Sequence, residues 1–302
     1  MRAKSYKYIF GLLILLYIGL AMLPAPDPST LTQYHLSPAH ARILSATIVL
    51  PVVGIWLVAM YGFVKLKDYA QLIRGTHDGD AFNTLSRGVL FLALGSPIAS
   101  VVSSTTTLLV RKHPSWLPTT TIINNYVSLL AMAVGLYFMA HGAEQLARLV
   151  NKKPSTKEQS GFVLLFIALS SFYSYFIITR PIHSAAEERI YYMPNLLILL
   201  TIAIPYLYYW YRGLVATYYL YHYQKHIKGA VYKGSLSLVA YGVATIVVTS
   251  ILVRLLVTIS ARISTLSLTP LLMIVYGFLV IAALGYILIA LGAKRLRRIE
   301  EV

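Results

Sequence analysis

"YAQLIRG" occupies Tyr69 to Gly75, and "YQKHIKG" occupies Tyr223 to Gly229. Each stretch follows a long apolar run and carries a tyrosine, an isoleucine, a cation and a glycine in one register, 154 residues apart. The same offset pairs Pro51 with Pro205, Trp56 with Trp210, Gly88 with Gly242, Val89 with Val243 and Ser96 with Ser250, without a gap. At an offset of 150, Gly135 meets Gly285, Gly142 meets Gly292, Ala143 meets Ala293 and Leu146 meets Leu296, so the second copy is four residues shorter in a loop. Apolar segments share Leu and Val by composition alone, whereas Pro, Trp, Gly and Tyr mark particular backbone and packing sites. The pattern predicts two tandem four-helix units, residues 1–150 and 151–302. Because four is even, both units face the same way, about an axis along the membrane normal.

Composition sets the class in which that repeat is read. The 302 residues are 58% hydrophobic and 12% charged, against about 45–50% and about 25% in soluble domains. Runs of about 20 apolar residues are needed to cross a bilayer. Eight are expected, near 8–24, 43–64, 87–110, 121–143, 161–179, 194–215, 236–261 and 270–292. The fold class is therefore an all-α integral membrane protein. The net charge of +16 is spread in short clusters between these runs rather than over one soluble face, which argues against nucleic acid. Of the 26 Lys and Arg residues, 18 fall on the side holding both termini and the loops near 65–87, 148–157 and 225–233. Excess positive charge marks the cytoplasmic side, so both termini are expected there, in the plasma (cytoplasmic) membrane. The basic start and apolar run of "MRAKSYKYIFGLLILLYIGLAML" also resemble a signal peptide. Leu23 at the minus-three position of a cut after Ala25 fits cleavage poorly, and the repeat requires this helix.

In this frame the opening stretches end the cytoplasmic extensions of the second helix in each unit. Tyr69 and Tyr223 are expected as interfacial anchors, Arg74 and Lys228 as contacts to anionic lipid headgroups, and Gly75 and Gly229 as helix stops. Pro51 and Pro205 lie in spans two and six, where a freed carbonyl permits a hinge.

Little else carries chemistry. All ten carboxylates fall in or near loops and ends, which disfavours proton or sodium coupling and paired-carboxylate catalysis. Zero cysteines exclude thiolate nucleophiles, iron–sulfur clusters and disulfides. The phosphate-loop, HExxH and GxSxG motifs are also missing. His141 and Glu144 are spaced three apart on one helix, but their counterparts, Leu291 and Lys294, do not complete a metal site. His35, His40, His113 and His183 share the outer side without a tight ligand spacing. Arg212 reads as a snorkelling cation, and the tyrosines of 206–223 as an interfacial belt. Arg254 lies deeper in span seven and, with the hydroxyls of Ser96, Ser100, Ser103 and Ser104 on span three, forms the candidate polar or anion site. The expected protein is non-catalytic, without metal or cofactor: a sensor, assembly factor or scaffold of the membrane. The alternative is a permease for a neutral or anionic small molecule, with a pathway between the units.

Overall fold

A computed structural model describes residues 3–22, 38–112, 117–150, 204–227, 229–260 and 268–301. These residues form helices and no strand: α1 (Ala3–Met22), α2 (Pro38–Leu72), α3 (His77–Lys112), α4 (Leu117–Arg148), α5 (Ile204–His226), α6 (Ala230–Ser260) and α7 (Leu268–Glu300). Among the described residues four segments are long and apolar enough to cross a membrane: Val49–Leu72, His77–Thr106, Ala230–Val253 and Tyr276–Glu300. The shorter apolar stretch Tyr8–Gly19 lies in α1. The chain thus has the architecture of a helical membrane protein. The expected span at 161–179 lies outside the described residues.

The helices α2 to α7 close a ring in chain order, with α7 packing back onto α2. The helix α1 lies outside this ring against α3 and α2, through buried Phe10 and a Tyr17–Trp56 ring contact of 4.8 Å. Large apolar side chains point outward, among them Leu50 at 72% exposure and Val231 at 70%. In water such a surface would be an aggregation liability. In lipid it is solvated, so association must come from close packing rather than from a hydrophobic drive between helices.

Small residues supply that packing. A Cβ placed on Gly88 of α3 would stand 2.6 Å from the Gly135 carbonyl oxygen of α4, and one on Gly142 would stand 2.7 Å from the Leu85 nitrogen. Between α6 and α7, a Cβ on Gly242 would stand 2.5 Å from the Gly285 oxygen, and one on Gly292 would stand 2.7 Å from the Ser235 oxygen. Gly135 and Gly142, like Gly285 and Gly292, are seven residues apart, two turns along one helix face. Backbone cannot yield as a side-chain tip can. Gly88→Ala and Gly242→Ala are each expected to destabilise by about 1–3 kcal/mol, by similar amounts, as measured by unfolding in detergent; a neutral effect at either position would refute the tight crossing.

The opening stretches do stop their helices. Gly75 and Gly229 adopt φ of 94° and 96°, which residues with a Cβ rarely adopt. The N–H of Ile73 donates to the Tyr69 carbonyl, and that of Ile227 to the Tyr223 carbonyl, both at 3.2 Å. Beyond Gly75, the Thr76 hydroxyl accepts from the Gly79 N–H at 3.0 Å and so caps α3. The expected hinge at Pro51 lies within α2, which is helical through it.

Candidate functional site

A cavity of about 340 Å³ lies inside the ring and takes lining from all six of its helices. Its wall contains Ile55 and Tyr209, Leu92 and Ile246, and Ser96 and Ser250, three pairs that stand 154 residues apart. Met132 and Ala282, also in the wall, stand 150 apart. Most of the lining is aliphatic or aromatic. The Trp56 indole N–H donates to the Ser96 hydroxyl at 3.0 Å, which leaves the serine its own proton to donate. The Ser250 hydroxyl donates to the Val247 carbonyl at 2.7 Å. Thr249, Tyr206, Tyr209 and Tyr286 bring further hydroxyl groups to the wall. Pro97, inside α3, lacks an N–H, so the carbonyl of Ala93 on this wall has no intrahelical donor. No Asp, Glu, His, Lys or Arg occurs among the described lining residues. The site can receive an apolar body and hydrogen-bond one or two neutral polar groups.

At the basic end of the bundle the two tyrosines of the opening stretches point inward. Tyr69 is 0% and Tyr223 2% exposed, so both rings are packed among helices. The Tyr69 hydroxyl lies 2.9 Å from the Tyr232 hydroxyl, and the Tyr223 hydroxyl donates to Asp78 Oδ2 at 3.3 Å. Asp78 and Tyr232 are themselves 154 residues apart, and each lies three residues beyond a helix-stopping glycine. Each tyrosine therefore reaches across to the helix that follows the other glycine. Burial first, then the neighbouring Tyr232 and Asp78, push the Tyr223 phenol up, so it stays protonated and donates. The Phe82 ring meets Tyr69 edge-on at 5.0 Å and fixes its plane.

The remaining expected residues are dispersed. Ser96 lines the cavity, whereas Ser100 and Ser104 are half-buried farther along α3 and are not part of its wall. The side chains of Ser103, Arg254 and Pro205, and the whole of Lys228, lie outside those described. Arg74 is exposed at the end of α2. Arg212 Nη2 donates to the Tyr137 carbonyl at 3.5 Å, with its guanidinium 4.9 Å from that residue's ring centre. Its cation thus rests on α4. His141 is 3.3 Å from Gln145, while Glu144 pairs with Arg148 at 2.6 Å, so the two turn to different partners. Thr249, Tyr209 and Tyr286 were not legible as site residues, although the offset that pairs Ser96 with Ser250 pointed to their neighbourhood.

No family model, no curated protein and no solved structure matches this chain.

Proposed function

We propose that the chain is a non-catalytic, multi-pass membrane component built from two tandem like-oriented units, and that its working part is the cavity between them, which receives a small neutral molecule. The observation that carries this reading is the cavity wall, where three residue pairs at the 154 offset and one at the 150 offset line the same space. The glycine crossings of α3 with α4 and of α6 with α7 support the duplication, because they recur at matched positions with backbone in the same roles. A pocket lined by apolar and aromatic groups with a few convergent hydroxyls is the form of a small-molecule site. The absence of a cation from its described lining favours a neutral over an anionic ligand. Hydrophobic solutes partition into the bilayer, so such a site can sample them directly from lipid.

Passage through the protein is the second reading, favoured by the tyrosine joints at the basic end. They join α2 to α6 and α5 to α3 there, and rocking of two parallel units, as in parallel-repeat transporters, would have to break them. The cavity wall supplies its own reporter in Trp56. Titration of the reconstituted protein with small neutral alcohols and aromatic alcohols is expected to give a saturable change in Trp56 emission that Trp56→Phe removes. A response that never saturates for any probe would reduce the cavity to a packing gap. Parallel flux measurements in proteoliposomes separate a sensor, which binds only, from a facilitator.

A further inference from the structure

A second cavity, also of about 340 Å³, lies at the basic end where α2 turns into α3, away from the ring's interior. Its lining is polar: Lys67, Gln71 and Arg74 from the end of α2 and the turn, Asp80 and Asn83 from the start of α3. Lys67 Nζ is held by the Asn83 amide oxygen. The lining holds two cations, Lys67 and Arg74, against a single carboxylate, Asp80, and burial first, then the like charges of Arg87 and Arg74, disfavour the Lys67 cation. The turn leaves this wall bare, because a Cβ at Gly79 would stand 2.1 Å from the Ile73 carbonyl oxygen.

The arrangement differs between the copies, although Arg74 and Gln71 have the cationic counterparts Lys228 and Lys225 at the 154 offset. At the 154 offset, Lys67 and Arg87 correspond to Tyr221 and Tyr241, Asp80 to Gly234 and Asn83 to Ser237. Helix ends and the glycine turn are shared between the copies, so packing does not demand Lys67 or Arg87 here. Cations brought together without equal countercharge raise the folded-state energy unless an anion completes the site. Several N–H donors on Lys, Arg and amide side chains suit an acceptor with three or more oxygens.

We propose that this cavity binds a phosphate group, with Lys67 and Arg74 as its charged partners, Gln71 and Asn83 as amide donors, and Arg87 strengthening the local positive field. A lipid headgroup and free phosphate share this chemistry. Lys67 sits near the end of the apolar span Val49–Leu72, which in a bilayer would bring the cavity close to headgroups.

The test uses the full chain in detergent micelles and follows its thermal unfolding midpoint against added short-chain phosphatidylglycerol, inorganic phosphate or short-chain diacylglycerol. A saturable rise with a phosphate-bearing probe and none with diacylglycerol is expected. Each cation removed should weaken half-saturation about fivefold, so Lys67→Gln/Arg74→Gln should respond only at more than about tenfold higher concentration. Arg148→Gln, at the same end but outside the cavity, should respond as the parent does. A rise with inorganic phosphate at matching concentration identifies the free ion as ligand; a rise with phosphatidylglycerol alone identifies the lipid. No rise with either, an undiminished response in the double variant, or an equal loss in Arg148→Gln overturns the site. If the double variant does not fold, the exposed Arg87→Gln carries the comparison, with about fivefold weakening expected and an unchanged response counting against the site.

Discussion

The paired substitution Ala93→Phe/Ala282→Phe is expected to abolish the saturable Trp56 response, weakening it by more than about tenfold, while the protein stays folded. Both alanines face the central cavity, and two phenyl groups would occupy space that a ligand needs. Filling an apolar gap restores dispersion contacts, so unfolding in detergent should be unchanged or shifted upward by about 0.5–2 kcal/mol. The two readouts moving apart is the diagnostic result. Loss of both would mean that the substitutions overpacked the ring, and ligand response with normal stability would place binding elsewhere. Ser96→Ala separates shape from polarity. It leaves the Trp56 N–H without its acceptor and should cost about 1–3 kcal/mol if that N–H finds no other partner.

Tyr223→Phe is expected to be the most damaging single change at the basic end. It removes the phenol that donates to Asp78, and hydrogen bonds to charged groups contribute about 1.5–3 kcal/mol. Tyr69→Phe removes a bond between two neutral hydroxyls and should cost about 0.5–1.5 kcal/mol. If each bond joins one unit to the other, Tyr223→Phe and Asp78→Asn should be non-additive, because the second change removes the charge that the first leaves without its donor. Unfolding of the four proteins of that cycle measures the coupling. Additive losses, or Tyr223→Phe within about 0.5 kcal/mol of the parent, would show that the tyrosines only fill space. A facilitator should also leak faster in Tyr223→Phe, whereas a sensor would lose stability without gaining flux.

The helical, membrane-embedded character of this chain was written in its composition and run lengths, because transfer of side chains into lipid is a local, additive property of sequence. The helix ends at Leu72 and His226 were legible for a similar reason: a glycine at positive φ acts within one turn. The offsets of 154 and 150 also located Gly88, Gly135, Gly242 and Gly285, since only a residue without a side chain allows such crossings. What those offsets could not disclose was which face each matched residue presents. Tyr69 and Tyr223 stand at the ends of apolar helices, where sequence reading expects headgroup contacts; their burial and their hydrogen bonds to other helices are visible only in the tertiary structure. Their partners, Asp78 and Tyr232, are different residue types at one offset, so no match drew attention to them. The Ser/Thr stretch of α3 looked uniform along the chain, and only the crossing of six helices selected Ser96 from it and set Ser250, Thr249 and three tyrosines around the same space. A cavity is a property of the gaps between helices, and those gaps are fixed by tertiary packing among residues far apart in sequence.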